Sequence, residues 1–291
     1  MLPPDLQRLA GSVVPGTGTL DIERLSCGLS NETYRVTRSG CSYTLRVAIE
    51  PRLDYGQDLS WEGRVLKAAG DAGLAPLLLH CDPLRGVFVS RWVSGRSWCM
   101  EEARSCAKLG SIAGLLRRVH ELRVEAPVRL FGPLAWVERY SAALARVGRP
   151  AEPGLRAAAT ARLSDIAGLP GVAGALCHSD LHAMNLIESD QSLILLDWEY
   201  AHVSEPLWDL AGWSANNDLQ AEAQRSLLAQ YLGAAPTPGQ WARFRLMLWL
   251  YDYICLLWSE LYFSLRPADS AVAGRATQLD ARLRVPAHYA A

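Results

Sequence analysis

The sequence predicts an α+β fold in two lobes, a β-rich N-terminal part and a mainly helical C-terminal part. Three observations lead to it. Short runs of strand-forming residues crowd the first part of the chain. From about Met100 onward apolar residues recur instead at helical spacing. Between the two, Ser94-Gly95-Arg96-Ser97 interrupts an apolar strand. The 291 residues suffice for one large domain or two lobes, here expected over 1–93 and 94–291.

The elements follow in order. Residues 20–25 and 33–37 read as strands around the small-residue turn Ser26-Cys27-Gly28-Leu29-Ser30-Asn31, and residues 43–49 as a further strand. A helix is expected over 60–69, with Ser60 as N-cap and Gly70 near its end. Residues 87–93 form another short apolar strand, and the lobe hinge is expected at 90–95. Residues 103–122 carry Leu109, Ile112, Leu116 and Val119 on one helical stripe, and 136–147 reads as helix again. Loops are expected at 127–133 and 148–154, and helices run from 207 to the end.

Composition removes several classes. A formal net charge of −1 gives no reason to expect a nucleic-acid or anionic-membrane surface. No apolar run is long enough to span a bilayer, the richest stretch (246–258) being broken by Asp252. Met1-Leu2-Pro3-Pro4-Asp5 lacks the order of a signal peptide. Seven scattered cysteines without a C-x-x-C pair argue against a disulfide framework or a zinc site. Reduced thiols in a cytoplasmic protein are expected.

The chemistry concentrates in Cys177-His178-Ser179-Asp180-Leu181-His182-Ala183-Met184-Asn185 and in Leu195-Leu196-Asp197-Trp198-Glu199-Tyr200. The pattern H-x-D-x-x-x-x-N, followed by an apolar strand ending in Asp, suits phosphoryl transfer. One carboxylate orients a hydroxyl nucleophile, while an amide and a second carboxylate hold magnesium. Asp180 is the candidate base. Asn185 and Asp197 are the candidate hard-oxygen metal ligands, and His178 braces the loop. Nothing matches G-x-x-x-x-G-K-[ST], which argues against a P-loop NTPase.

On these motifs the chain resembles the aminoglycoside phosphotransferase and choline kinase superfamily, which has a protein-kinase-like fold. Residues 195–201 look most like choline/ethanolamine kinases and bacterial thiamine kinases. The resemblance implies ATP and Mg2+ as cofactors and a loop over the ATP phosphates with Gly28, Ser30 and Asn31 at its tip. It places Arg46, in Thr44-Leu45-Arg46-Val47-Ala48, where a phosphate-binding lysine is usual, with Glu62 as its partner. The strand carrying Ser90 and Trp92 would meet adenine. Asp209 becomes a structural acid bonding the catalytic-loop backbone.

For the acceptor, a small cationic alcohol of the choline or ethanolamine type is expected, which calls for an aromatic face and a carboxylate. Phe244, Leu248, Tyr251, Cys255, Trp258 and Tyr262 recur at steps of three and four and read as a buried stripe. Residues off that stripe or near the motif, Glu199, Trp213, Asn216, Asn217, Trp249, Asp252 and Glu260, are the candidates to line the pocket. Thiamine, amino-sugar or aminoglycoside acceptors, and a kinase-like module that binds without catalysis, are the alternatives. No nucleic-acid or membrane partner is expected.

Overall fold

The computed structural model describes residues 4–27, 30–49, 56–189, 192–266 and 270–289. The first elements are α1 (Pro4–Val13), β1 (Leu20–Cys27), β2 (Asn31–Arg38), β3 (Cys41–Ala48), α2 (Leu59–Asp71), β4 (Leu78–Asp82), β5 (Val87–Arg91) and β6 (Arg96–Ser97). Then come α3 (Met100–Arg104), α4 (Leu109–Glu121), α5 (Pro133–Arg146), α6 (Pro153–Ala167), β7 (Ala175–Cys177), β8 (Leu186–Glu188), β9 (Leu193–Leu195) and β10 (His202–Ser204). The last are α7 (Leu207–Asn216), α8 (Ala221–Leu232), α9 (Pro238–Leu265) and α10 (Ser270–Leu283), with 3-10 turns at Ala183–Asn185 and Pro286–Tyr289. These form two compact units. One comprises Met1–Trp98, Leu122–Ala126 and Met184–Tyr200, the other Cys99–Glu121, Pro127–Ala183 and Ala201–Ala291.

The first unit is built on an antiparallel sheet of order β1-β2-β3-β5-β4. Alternation along the strands turns Tyr34, Val36, Leu45, Val87 and Val89 to one face, where Leu6 and Ala10 of α1 and Val14 just after it lie against them. Helix α2 buries Trp61, Val65 and Ala69, one residue per turn. It starts a residue earlier than the sequence predicts, because Asp58 rather than Ser60 is the N-cap: its carboxylate accepts from Trp61 N at 2.9 Å. Gly63 lets α2 lie close to β4, since a Cβ there would come within 2.5 Å of Cys81 Sγ. A smaller sheet, β6-β8-β9, completes the unit. Leu195 N donates to Leu74 O, and Leu196 N to Asn185 O, both at 2.8 Å, which ties the end of β9 down.

The second unit is helical apart from the pair β7–β10. Its axis is α9, about 42 Å long at 1.5 Å per residue. A capping box between Thr237 and Gln240, with Pro238 in the first turn, starts it. Helices α5, α6, α7 and α10 pack around α9, so it is buried on nearly every side rather than on one stripe. The expected helix over 103–122 is two helices, because Ser105 adopts an extended conformation between α3 and α4. Among the described residues no helix is long and apolar enough to cross a membrane.

Candidate active site

In the first unit, Arg46 on β3 is the centre of a charged cluster. Its Nη2 contacts Glu62 Oε1 at 2.5 Å and its Nη1 contacts Asp197 Oδ1 at 3.3 Å. The guanidinium also lies over the Phe88 ring, 4.6 Å from its centroid. Burial works to lower the pKa of Arg46, but the charges of Glu62, Asp197 and Glu199 overcome it and hold the group above the usual arginine range. Glu62 is buried, and desolvation raises its carboxyl despite Arg46. Its Oε2 finds no hydrogen-bond partner among the described residues.

Glu199 belongs to the same cluster. Burial, and then the charges of Asp197 and Glu62, push its carboxyl well above the usual range. Asn31 Nδ2 donates to its Oε2 at 2.8 Å. Ser30 is tied in through Gln57, whose Nε2 donates to Ser30 Oγ at 3.0 Å and reaches Tyr200 Oη at 3.5 Å. Arg46 thus pairs with Glu62 and Asp197, and Glu199 lies close enough for its charge to be felt. The carboxylate of Asp197 and the amide of Asn185 offer hard oxygens of the kind magnesium takes. Asp197 itself sits at φ 61°, an uncommon conformation for a residue with a Cβ.

Of the other residues expected at the nucleotide, Ser90 is paired within the sheet between Thr44 and Leu78. Trp92 N donates to Ser42 O at 3.1 Å, and its ring lies 4.7 Å from the Arg35 guanidinium. Gly28 lies outside the described residues.

In the second unit, β7 leads into the loop that carries Asp180. Asp209, at the start of α7, accepts His178 N on Oδ2 and Ser179 N on Oδ1, both at 2.8 Å. It is thus the structural acid that the resemblance implies. His120 Nε2 lies 3.2 Å from Asp209 Oδ2, and His120 Nδ1 lies 2.8 Å from Tyr231 Oη. His120, Cys177 and Asp209 are close enough together to hold a metal. Their polar atoms instead serve this network, and Cys177 Sγ lies against the carbonyls of Ala175 and Glu205.

The loop is held from several sides. Ser179 takes φ 72°, with its Oγ 3.1 Å from His202 Nδ1. Asp180 N donates to His178 Nδ1 at 3.3 Å, so His178 braces the turn. Tyr251 Oη donates to Ser179 O at 3.2 Å, and Asn216 Nδ2 to Leu181 O at 3.1 Å. Asn217 Oδ1 accepts Ala183 N at 3.0 Å. Asn216 and Asn217, expected to line the acceptor pocket, thus fasten the backbone on which Asp180 stands. The Asp180 carboxylate stays partly open to solvent, with His182 Nε2 at 3.9 Å.

The remaining pocket candidates need correction. Trp213 is 0% and Trp249 1% exposed, and Trp249 Nε1 reaches only Leu283 O, at 3.4 Å. Both rings are core, because the helices around α9 leave no open side at those positions. Asp252 is likewise 1% exposed and engaged by Arg282 and by Tyr289 Oη. Glu260 is half-buried, with Arg149 as its nearest cationic influence. The stripe read as core is more open than these. Cys255 and Trp258 are only half-buried, and Tyr251 touches the loop of Asp180. Sequence reasoning gave no part in the site to Tyr251, Gln57 or His120. Tyr251 hid inside an apolar stripe, and the other two sit in ordinary-looking polar segments.

A model described as the phosphotransferase enzyme family matches residues 21–247. A choline/ethanolamine kinase family protein from Mesorhizobium loti superposes with a TM-score of 0.78 at 25% identity, over 98% of this chain and 97% of its own. The choline kinase LicA from Streptococcus pneumoniae gives 0.77 at 21%, over 96% and 97%. The macrolide 2'-phosphotransferase MphH from Brachybacterium faecium gives 0.62 at 21%, also over 96% and 97%. Protein LicA of Haemophilus influenzae is 38% identical over 55 residues, 19% of this chain. The chain thus spans about a fifth (21%) of that relative's length.

Proposed function

The chain belongs to the phosphotransferase enzyme family, and we propose that it transfers the γ-phosphoryl group of ATP to a hydroxyl of a small molecule. The Arg46–Glu62–Asp197 cluster supports this reading, because a guanidinium beside hard-oxygen carboxylates is suited to phosphate and to its metal. Complexes of related folds supply the nucleotide: a LicA structure contains AMP, and an amicoumacin kinase structure contains AMP-PNP. Glu62 fixes Arg46 for the phosphates. Asn185 and Asp197 would hold magnesium, which screens the charge of the triphosphate when bound.

Asp180 takes the proton of the acceptor hydroxyl as its oxygen bonds to the γ-phosphorus, and the bond from that phosphorus to the β–γ bridging oxygen breaks to release ADP. Asp209, Tyr251, Asn216 and Asn217 hold the loop so that this carboxylate needs no rearrangement at the moment of transfer. Choline- and ethanolamine-type alcohols are the first acceptors to assay, in keeping with the neighbours' names. Thiamine and amino sugars come next, and the free thiols among the described residues accord with a cytoplasmic setting.

Asp197→Ala should abolish ATP-dependent turnover while thermal unfolding stays close to that of the unaltered protein. An unchanged rate would reject the assignment and favour a binding module. Asp180→Asn should lower kcat by roughly 10²-fold or more.

A further inference from the structure

The helix α10 brings a cation to the acceptor side of the second unit. Arg275 donates from Nη2 to Asn216 Oδ1 at 2.8 Å. Asn216 in turn donates to Leu181 O, in the loop of Asp180, and to Tyr251 Oη at 2.9 Å. The guanidinium is therefore moored to the residues that hold the catalytic loop. Against the opposing effect of the atoms packed around it, Asp180 and Asp252 lie near enough for their charges to raise its pKa. No carboxylate lies within ion-pair distance of it among the described residues, and its side chain remains accessible to solvent.

The neighbouring arginines are used differently. Arg282 is engaged by Asp218 and Asp252, Arg243 by Glu205, and Arg284 by Asp280. A surface arginine serving solubility would swing freely, whereas Arg275 is fixed by a side chain that also fixes the catalytic loop. Its free N–H groups form a fork suited to an oxyanion. The same charge repels a quaternary ammonium. The residues expected to attract such a cation, Trp213, Trp249 and Asp252, are occupied in the core.

We propose that Arg275 is a specificity-determining residue, and that the alcohol phosphorylated here carries an oxyanion, a carboxylate or a phosphate, which Arg275 binds while the hydroxyl meets Asp180. This rests on the phosphotransfer reading above, and moves the acceptor away from bare choline and ethanolamine.

The test is a kinetic comparison of matched alcohols with and without an oxyanion: ethanolamine against serine, and glycerol against glycerate and glycerol 3-phosphate, with choline alongside. The oxyanion-bearing member of at least one set should be favoured by 10-fold or more in kcat/KM. The glycerate and glycerol 3-phosphate arms separate carboxylate from phosphate. Arg275→Ala should erase the preference through the acceptor KM and leave the ATP KM unchanged, with Arg275→Lys restoring part of it. A preference for plain or cationic alcohols, or one that survives Arg275→Ala, overturns the proposal and leaves phosphotransfer standing. So does a loss confined to kcat. If no member is phosphorylated the proposal fails too, and ATP-dependent thermal stabilisation, compared with that of Arg46→Ala, then shows whether nucleotide binding fails with it.

Discussion

Asp209 sits fully buried at the start of α7, where its two oxygens take the backbone N–H groups of His178 and Ser179. Burial alone would raise its pKa. The hydrogen bond with His120 and the backbone donor outweigh this, so the net shift is downward. A carboxylate with a folded pKa below its unfolded value, about 3.9, contributes stability that is complete above that value. That stability is lost as pH falls through the folded value. Asp209→Asn leaves one amide group facing two backbone donors, so it should cost about 3 kcal/mol at pH 7. Urea unfolding should show the gap between the two proteins narrowing below about pH 4. A gap constant from pH 7 to pH 3 would show that the charge of Asp209 is not what holds the loop.

At the scale of elements, the loop of Asp180 depends on how closely α7 and α9 pack. A Cβ on Gly212 would come within 2.8 Å of Tyr251 Cε2 and 3.1 Å of its Cζ. The ring is buried and cannot retreat without releasing Ser179 O and Asn216. Gly212→Ala gains about 1 kcal/mol of helix propensity but incurs about 1–3 kcal/mol of overpacking. Overpacking should win, with a lower Tm and kcat reduced about 10-fold as Asp180 shifts. A variant as active and as stable as the parent would show that the two helices adjust without moving the loop.

Such contacts explain what the sequence could and could not reveal. The strands of the first unit, α2 and the Asp180–Asn185–Asp197 spacing were legible because each repeats a local rule of alternation, helical period or motif offset. Helix α6 was not: only Leu155 and Ala159 are buried along it, so it shows no apolar stripe and owes its start to Glu152 and Pro153. Helix α9 misled in the other direction. Being surrounded on nearly all sides, it gives no contrast between a core face and a pocket face. Trp249 and Asp252 looked free when they were core, and Tyr251 looked like core when it served the loop. The role of Arg275 exists only in three dimensions, through one bond to Asn216.

Across the second unit as a whole, the C-terminal segment decides where Arg275 stands. Helix α10 runs beside α9, and Arg282 reaches the buried Asp252 on it. The turn after α10 places Tyr289 Oη 2.5 Å from the other oxygen of Asp252, and offers His288 O to the buried Arg245. Burial raises the pKa of Asp252 and outweighs both partners, so the carboxylate depends on every donor it has. Tyr289→Phe removes one of these donors without opening a cavity. It should cost about 1.5–3 kcal/mol, since the lost hydrogen bond ends on a buried carboxylate. For a chain of this size that corresponds to a fall of roughly 2–5 °C in Tm, read by calorimetry. Loosening α10 should also raise the acceptor KM several-fold while the ATP KM stays unchanged, because Arg275 shares that helix. Should Tm fall with the acceptor KM unmoved, the Asp252–Arg282–Tyr289 network would be a stabilising closure with no bearing on the acceptor.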